Sequence, residues 1–362
     1  MTTFTIDEVA LPQSLDEPGA PDYIRTVEVG NTVEEIGFGT DELAHEPAED
    51  LPYYIDPHQP TRMLVARVDG DIVARGMYET TLGDEADTAW LTVQVLPEFR
   101  GRGIGTAPAT ATERLASADG KAKAVVYTTI PEVQGERIPS PTGFGSVPAD
   151  HPDARFLLSR GYRLEQIERL SRLALPVGGL DALVAAARER SGPDYAVHSW
   201  VGRTPERWLE GIALLNTRMS TDAPTAGLEE PEDVWTAERL VESDDLVARL
   251  SPRQKFTTAV EYLPTGTLAG YTDLSVPRQL HRAVAQGATL VLREHRGHAL
   301  GMLLKVANLA HLERERPGHP SITTFNAEEN RYMLDVNEAV GFVPIAHASA
   351  WRKDLGQVGP IA

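Results

Sequence analysis

The chain contains no cysteine in its 362 residues. That excludes disulfides, thiolate metal sites and a cysteine nucleophile, and it suits a reducing compartment. No apolar run reaches the ~18 residues that a membrane-spanning helix needs. The opening Met1-Thr2-Thr3-Phe4-Thr5-Ile6-Asp7-Glu8 has neither the basic start nor the apolar stretch of a secretory signal. A cytoplasmic protein without a membrane partner is therefore expected. Basic residues are the scarce charge: 34 Lys and Arg stand against 53 Asp and Glu, a formal net charge of −19. A surface of that sign repels phosphate backbones, which disfavours nucleic acid and favours a cationic small molecule as partner. A Gly-x-Ser-x-Gly elbow and a Walker loop are missing as well, so hydrolase and nucleotide-hydrolysing readings have no motif to rest on. His295 and His298 lack the His-Glu-x-x-His arrangement of a zinc site, and no metal is expected.

What is present is an ordinary globular composition, 41 % hydrophobic and 24 % charged. At ~100–200 residues per domain the length calls for two units. The stretch up to about Pro60 is acidic and broken by proline, and it predicts one short element plus loops, with strand character near Arg25 to Val29. From Met63 onward two alternating runs, Leu64 to Val68 and Ile72 to Tyr78, flank Asp69-Gly70 and predict a β-hairpin. Trp90 to Val95 reads as the next strand, Gly103 to Ala116 as a helix, and Val125 to Thr129 as a further strand. The second half replays the order, with a turn at Thr265-Gly266, strands to Val276 and over Ala288 to Leu292, then a helix from Met302 to Leu312. Both copies close with a helix and a glycine–aromatic pair, Gly161-Tyr162 and Gly341-Phe342, where glycine supplies the left-handed turn that ends a helix. Pro131 to Pro148 reads as an exposed loop, Leu175 to Gly179 as a linker followed by a helix over Leu180 to Arg190, and Thr204-Pro205-Glu206 as a capped helix start with Trp208, Leu209, Ile212 and Leu215 on its apolar face. The domain limits that follow are 1–176 and 195–362, joined through 177–194.

Two glycine-punctuated loops stand out, Arg100-Gly101-Arg102-Gly103-Ile104-Gly105 and Arg296-Gly297-His298-Ala299-Leu300-Gly301, each after a strand and before a helix. Small residues there let consecutive backbone N–H groups converge at a helix N-terminus, where the macrodipole favours an anion. A diphosphate is the natural guest, held by the amides of Gly101 to Thr106 with Arg100 and Arg102 supplying charge. A Rossmann unit needs its acid about 20 residues on, within a doubly wound sheet. The loop here follows a hairpin and a third strand.

In that order both halves resemble the GNAT superfamily of N-acetyltransferases, whose acetyl-CoA motif is Arg/Gln-x-x-Gly-x-Gly/Ala after the fourth strand. Arg100, Gly103 and Gly105 match it fully, with Val95-x-Pro97 as lead-in. In the second half Arg296 and Gly301 match, while Ala299 replaces the middle glycine. The tandem layout is similar to actinobacterial two-domain acetyltransferases of the mycothiol synthase kind. The resemblance implies an α/β (α+β) fold of two tandem domains, each a mixed, mostly antiparallel central sheet flanked by helices. It further implies acetyl-CoA as cosubstrate, held through Val93, Val95, Gly101 to Thr106, Val291, Gly297, His298, Ala299, Leu300 and Gly301, and a primary amine as acceptor. By the same analogy a backbone amide near Val95 or Val291 meets the oxyanion.

An amine must lose a proton before it attacks a thioester, so an acid is needed nearby. Glu79 lies three residues beyond Gly76 and Asp273 three beyond Gly270, a matched pair that reads either as general bases or as solvated strand acids; Glu294 is a weaker candidate. GNAT enzymes often carry a tyrosine four residues before the closing glycine. Leu157 and Asn337 occupy those places, and Asn337 reads as a polar group facing the cofactor or satisfied locally. Asn326 with Glu329 reads as a helix cap with a reciprocal partner. Two functions remain open: an acetyl-CoA-dependent N-acetyltransferase, or an acyl-CoA-binding tandem scaffold with one or both domains silent.

Overall fold

The computed structural model describes residues 3–83, 86–131, 133–222, 224–229 and 231–356. In chain order its elements are β1 (Thr5–Val9), α1 (Ala20–Phe38), α2 (Pro47–Tyr54), β2 (Thr61–Val68), β3 (Asp71–Thr80), β4 (Thr88–Val95), α3 (Thr106–Ala118), β5 (Lys123–Thr129), β6 (Arg137–Pro139), β7 (Ser146–Pro148), α4 (Pro152–Ser159), β8 (Arg163–Ala174), α5 (Leu180–Ser191), β9 (Tyr195–Val201), α6 (Leu209–Asp222), α7 (Ala237–Leu250), β10 (Gln254–Tyr262), β11 (Thr267–Val276), β12 (Val284–Val291), α8 (Leu300–Glu315), β13 (Ser321–Ala327), α9 (Arg331–Val340) and β14 (Val343–Asp354). None of the described helices is long and apolar enough to cross a membrane.

Packing divides the chain into two compact units. Unit 1 holds residues 1–168, 225–231 and 346–362; unit 2 holds 169–224 and 232–345. Contiguous limits at 176 and 195 do not describe this division. The reason is strand pairing: β14, the last of the described strands, runs antiparallel to β5 from Ala348 opposite Thr129 to Asp354 opposite Lys123. Its Trp351 is fully buried with Tyr78, Leu91, Ala124 and Ile167.

The sheet of unit 1 runs β1-β2-β3-β4-β5-β14. All its pairs are antiparallel except β4 with β5. The hairpin forms as its sequence predicts, with Asp69 and Gly70 both at positive φ (52° and 92°), the twist a two-residue hairpin turn requires. The strand expected at 25–29 is instead the middle of α1. Pro21 starts that helix, Gly39 ends it in the left-handed region, and its β-branched Thr26, Val27 and Val29 are buried. Tertiary burial outweighs their weak preference for strand. Pro131 to Pro148, read as open loop, contains the short pair β6–β7.

Unit 2 repeats the arrangement in the order β13-β12-β11-β10-β9, with β12 and β13 parallel and the other three pairs antiparallel. Its α8 is buried on nearly every side, so an apolar run rather than a one-sided stripe encodes it. The start of α6 departs from its sequence reading. A short 3-10 turn over Glu206–Trp208 precedes the helix, and Thr204 supplies no cap; its N–H donates instead to Asp244 Oδ2 at 2.8 Å.

Candidate active site

In unit 1 the parallel register of β4 with β5 runs from Thr88 opposite Lys123 to Trp90 opposite Val125 and stops there among the described residues. Leu91 to Val95 continue on β3 alone. Two parallel strands that part in this way open a wedge into the sheet. The glycine loop lies at its mouth. Gly101 and Gly103 adopt φ of 72° and 81°, and a Cβ on either would meet nothing within 4 Å. Both face open space. The first bonds of the α3 turn are Thr106 N–H to Gly103 O and Ala107 N–H to Ile104 O. Among the described residues the N–H groups of 101–105 donate to no backbone carbonyl, which leaves them for an outside acceptor. Ile104 pins the loop into the core beside Val65 and Val73. Gly105 brings α3 onto β4 so closely that a Cβ there would lie 3.1 Å from Val95.

The arginines act differently from their sequence reading. Arg100 Nε donates to Val95 O at 3.0 Å and Arg102 Nη2 to Glu98 O at 2.7 Å, so both brace the loop's own backbone. Neither has a carboxylate partner among the described residues.

Glu79 pairs across β3–β4 with Trp90, at the level where the strands begin to part. Side chains alternate along a strand, so Gly76 packs on α3 through Pro108 and Thr112 while Glu79 shares the opposite face with Arg75 and Met77. That face is covered by α1 and α2: Arg75 lies against Gly30, and Met77 packs with Tyr23, Val27 and Leu51. Burial pushes the Glu79 carboxyl up to about 7; the Arg75 charge opposes this and Asp50 adds to it. Sequence alone did not reveal the network beside it. Arg75 Nε donates to Gln94 Oε1 at 2.5 Å and Gln94 Nε2 to Glu34 Oε1 at 3.0 Å.

Unit 2 has the same wedge, with β12 and β13 paired at Val284–Ile322 and Ala285–Thr323. Its loop is braced alike, Arg296 Nε donating to Val291 O at 3.1 Å. Three features set it apart. Ala299 takes the left-handed conformation (φ 53°). Gly301 lies near Tyr332, whose hydroxyl would be 3.6 Å from a Cβ there. Asp222, at the end of α6, binds Arg296 Nη2 through Oδ2 at 2.8 Å and Arg293 Nη2 through Oδ1 at 3.0 Å. His295 meets the Tyr195 ring edge-on and His298 lies tilted against it. No group of metal-ligating side chains occurs among the described residues.

Equal spacing from glycine does not make Asp273 the counterpart of Glu79. Leu96 N–H donates to Val73 O and Leu292 N–H to Ala269 O, which aligns Val73 with Ala269. Ser275, opposite Ala285, then occupies the level of Glu79. Asp273 sits nearer the loop, in an irregular stretch of the β11–β12 register, with its carboxylate where a Cβ on Gly287 would go. Burial raises its pKa, and Lys255, paired with Asp244 at 2.7 Å, pulls it back. Asn337 is 1 % exposed; its Nδ2 donates to Asn326 Oδ1 at 2.6 Å, while its own Oδ1 has no partner among the described residues. Asn326 therefore lies in β13 as that acceptor, and the cap of α9 is Asn330, which accepts from Met333 N–H. Glu294 lies in the short turn over Arg293–His295.

Residues 33–135 match the acetyltransferase (GNAT) family. Over nearly the whole length the fold is similar to that of solved structures. One is a tandem GNAT protein from the clavulanic acid biosynthesis pathway, at 23 % identity, with 98 % of this chain and 99 % of that one covered and a TM-score of 0.70. Another is a GCN5-related N-acetyltransferase from Sphaerobacter thermophilus, at 14 % identity, 97 % and 96 % coverage and a TM-score of 0.60. A third is Saccharomyces cerevisiae N-myristoyltransferase with bound myristoyl-CoA, at 10 % identity, 98 % and 79 % coverage and a TM-score of 0.58. No curated protein matches.

Proposed function

We propose that this chain, which carries a GNAT acetyltransferase domain and the fold of a tandem GNAT protein, transfers an acetyl group from acetyl-CoA to a primary amine in unit 1. The observation that carries this reading is the placement of Glu79, half-buried and poised to titrate near neutrality, at the root of the wedge whose mouth holds the open glycine loop. The amides of 101–105 supply donors for the diphosphate of the cosubstrate. The parted edge of β4 offers main-chain groups along the pantetheine arm, and a main-chain N–H near Val95 meets the oxyanion as charge develops on it.

On this reading the acceptor enters from the α1–α2 face. Its ammonium loses a proton to the Glu79 carboxylate, directly or through one water. The free amine then attacks the thioester carbonyl; the C–S bond breaks as the C–N bond forms, and a second proton of the attacking nitrogen passes to the departing sulfur or to solvent. Leu157 offers no proton in unit 1. A thiol of pKa ~8.5 leaves readily enough as thiolate. Glu34, Asp50 and Glu79 lie on the side where the acceptor enters, consistent with a cationic amine.

Release of free thiol from acetyl-CoA, followed across a panel of primary amines, tests the reading. Turnover with a cationic amine, lost on Gly103→Glu, is expected. Binding of acetyl-CoA without thiol release for any amine would leave unit 1 a carrier and not a transferase.

A further inference from the structure

The two loops are near-copies in backbone geometry, yet an acid beside the second helps to set it apart. In unit 1 the Arg100 and Arg102 side chains donate to the main-chain oxygens of Val95 and Glu98, and neither pairs with a carboxylate among the described residues. In unit 2 the Asp222 carboxylate lies at the mouth instead, its side chain only 7 % exposed, with one oxygen on Arg293 and the other on Arg296. Such a geometry is the one an incoming phosphate would adopt toward the same two guanidinium groups. A second feature acts in the same sense: Ala299 places a methyl group where the equivalent Gly103 leaves open space, and does so in a conformation that L side chains rarely adopt.

We propose that Asp222 is the residue that restricts coenzyme A to unit 1: its carboxylate occupies the anion position of the second loop and neutralises the arginines that would otherwise draw a diphosphate there. The proposal rests on the reading of unit 1 as the coenzyme-binding unit. An entering diphosphate has to displace Asp222 or sit against it, and like charges in a half-buried setting repel strongly. The repeated loop is thus retained as a fold element while its ligand is replaced by a side chain of the same unit.

Calorimetric titration of the full chain with coenzyme A tests this. One equivalent is expected for the unmodified chain, and Gly103→Glu should abolish it. Asp222→Ala should add a second equivalent, and in the Gly103→Glu background it should restore one where none was bound. Asp222→Asn, which keeps the shape and removes the charge, should behave alike, and an unchanged melting curve for either variant guards against misfolding. Two equivalents in the unmodified chain would overturn the proposal. So would a second loop that stays silent in both Asp222 variants. Failure of the unit 1 reading shows separately, as no uptake by the unmodified chain, and the gain of one equivalent on Asp222→Ala would still be required.

Discussion

One carboxyl, Glu79, is asked to be both a base and a member of a folded interior. Its ordinary pKa of 4.5 is raised to about 7, chiefly by burial. As a base it is competent only when ionised, so kcat/KM should rise tenfold per pH unit below about 7 and level off above it. Glu79→Gln should remove that limb of the profile and lower kcat/KM about 100-fold at pH 7.5, within the usual span for a general base. The same shift makes a stability prediction of opposite sign. A carboxyl whose folded pKa lies above its unfolded value binds a proton more tightly when folded, so stability falls as pH rises from about 4.5 to 7. Glu79→Gln should therefore stabilise the chain above pH 7, by on the order of 1–3 kcal/mol, and change nothing near pH 4. Denaturant melts at the two pH values check this. Equal stabilisation at both would show that the gain is not electrostatic.

Elements show where sequence sufficed and where it did not. The hairpin at Asp69-Gly70, the helices after both loops and the left-handed glycine at 341 were legible because each depends on local sequence: a turn needing positive φ, an uninterrupted run of helix-forming residues, a cap. Helix α1 was not, since its β-branched Val27 and Val29 pack on Met63, Val65, Val73 and Met77 of the sheet, contacts that outweigh their local preference. Asp222 was equally hidden, for its meaning arises from two arginines more than 70 positions away. Lys305 of α8 was also invisible. It is 3 % exposed, lies over the Phe342 ring at 5.8 Å, and burial depresses its amine to about 7. A lysine with folded pKa below its unfolded value weakens the fold most below pH 7, and the effect fades as pH approaches 10.5. Lys305→Met, similar in volume, should raise the midpoint of urea unfolding at pH 6, with the difference shrinking at pH 10. Leu228 gives the converse case. It is 1 % exposed against Val125 and Ala350, so Leu228→Ala should destabilise unit 1 by about 2–5 kcal/mol in the same measurement.

At the scale of the whole molecule the unit that bears the proposed chemistry is completed by residues far from it in sequence. Strand β14 covers the free edge of β5 through a register of seven residue pairs, and Trp351 fills the core between Tyr78 and Ile167. Residues 225–231 belong to unit 1 as well, with Arg352 Nη1 donating to Gly227 O at 2.6 Å and pairing with Glu229 at 2.8 Å. Repetition of loops along a sequence announces two units but says nothing of which strand closes which sheet, because pairing partners are chosen by edges that exist only after folding. The consequence is that the N-terminal unit depends on the C-terminal end of the chain. A chain ending at residue 342 keeps the glycine loop, Glu79 and every other residue assigned to the proposed chemistry, yet it exposes the edge of β5 and deletes Trp351, the largest fully buried side chain among the described residues. It should lose the cooperative melt of unit 1 and with it coenzyme A uptake, read by calorimetry on the truncated and full chains. Adding residues 343–362 back as a separate peptide should restore part of both. If the truncated chain melts and binds as the full one does, β14 is an ornament of the sheet and unit 1 is self-sufficient.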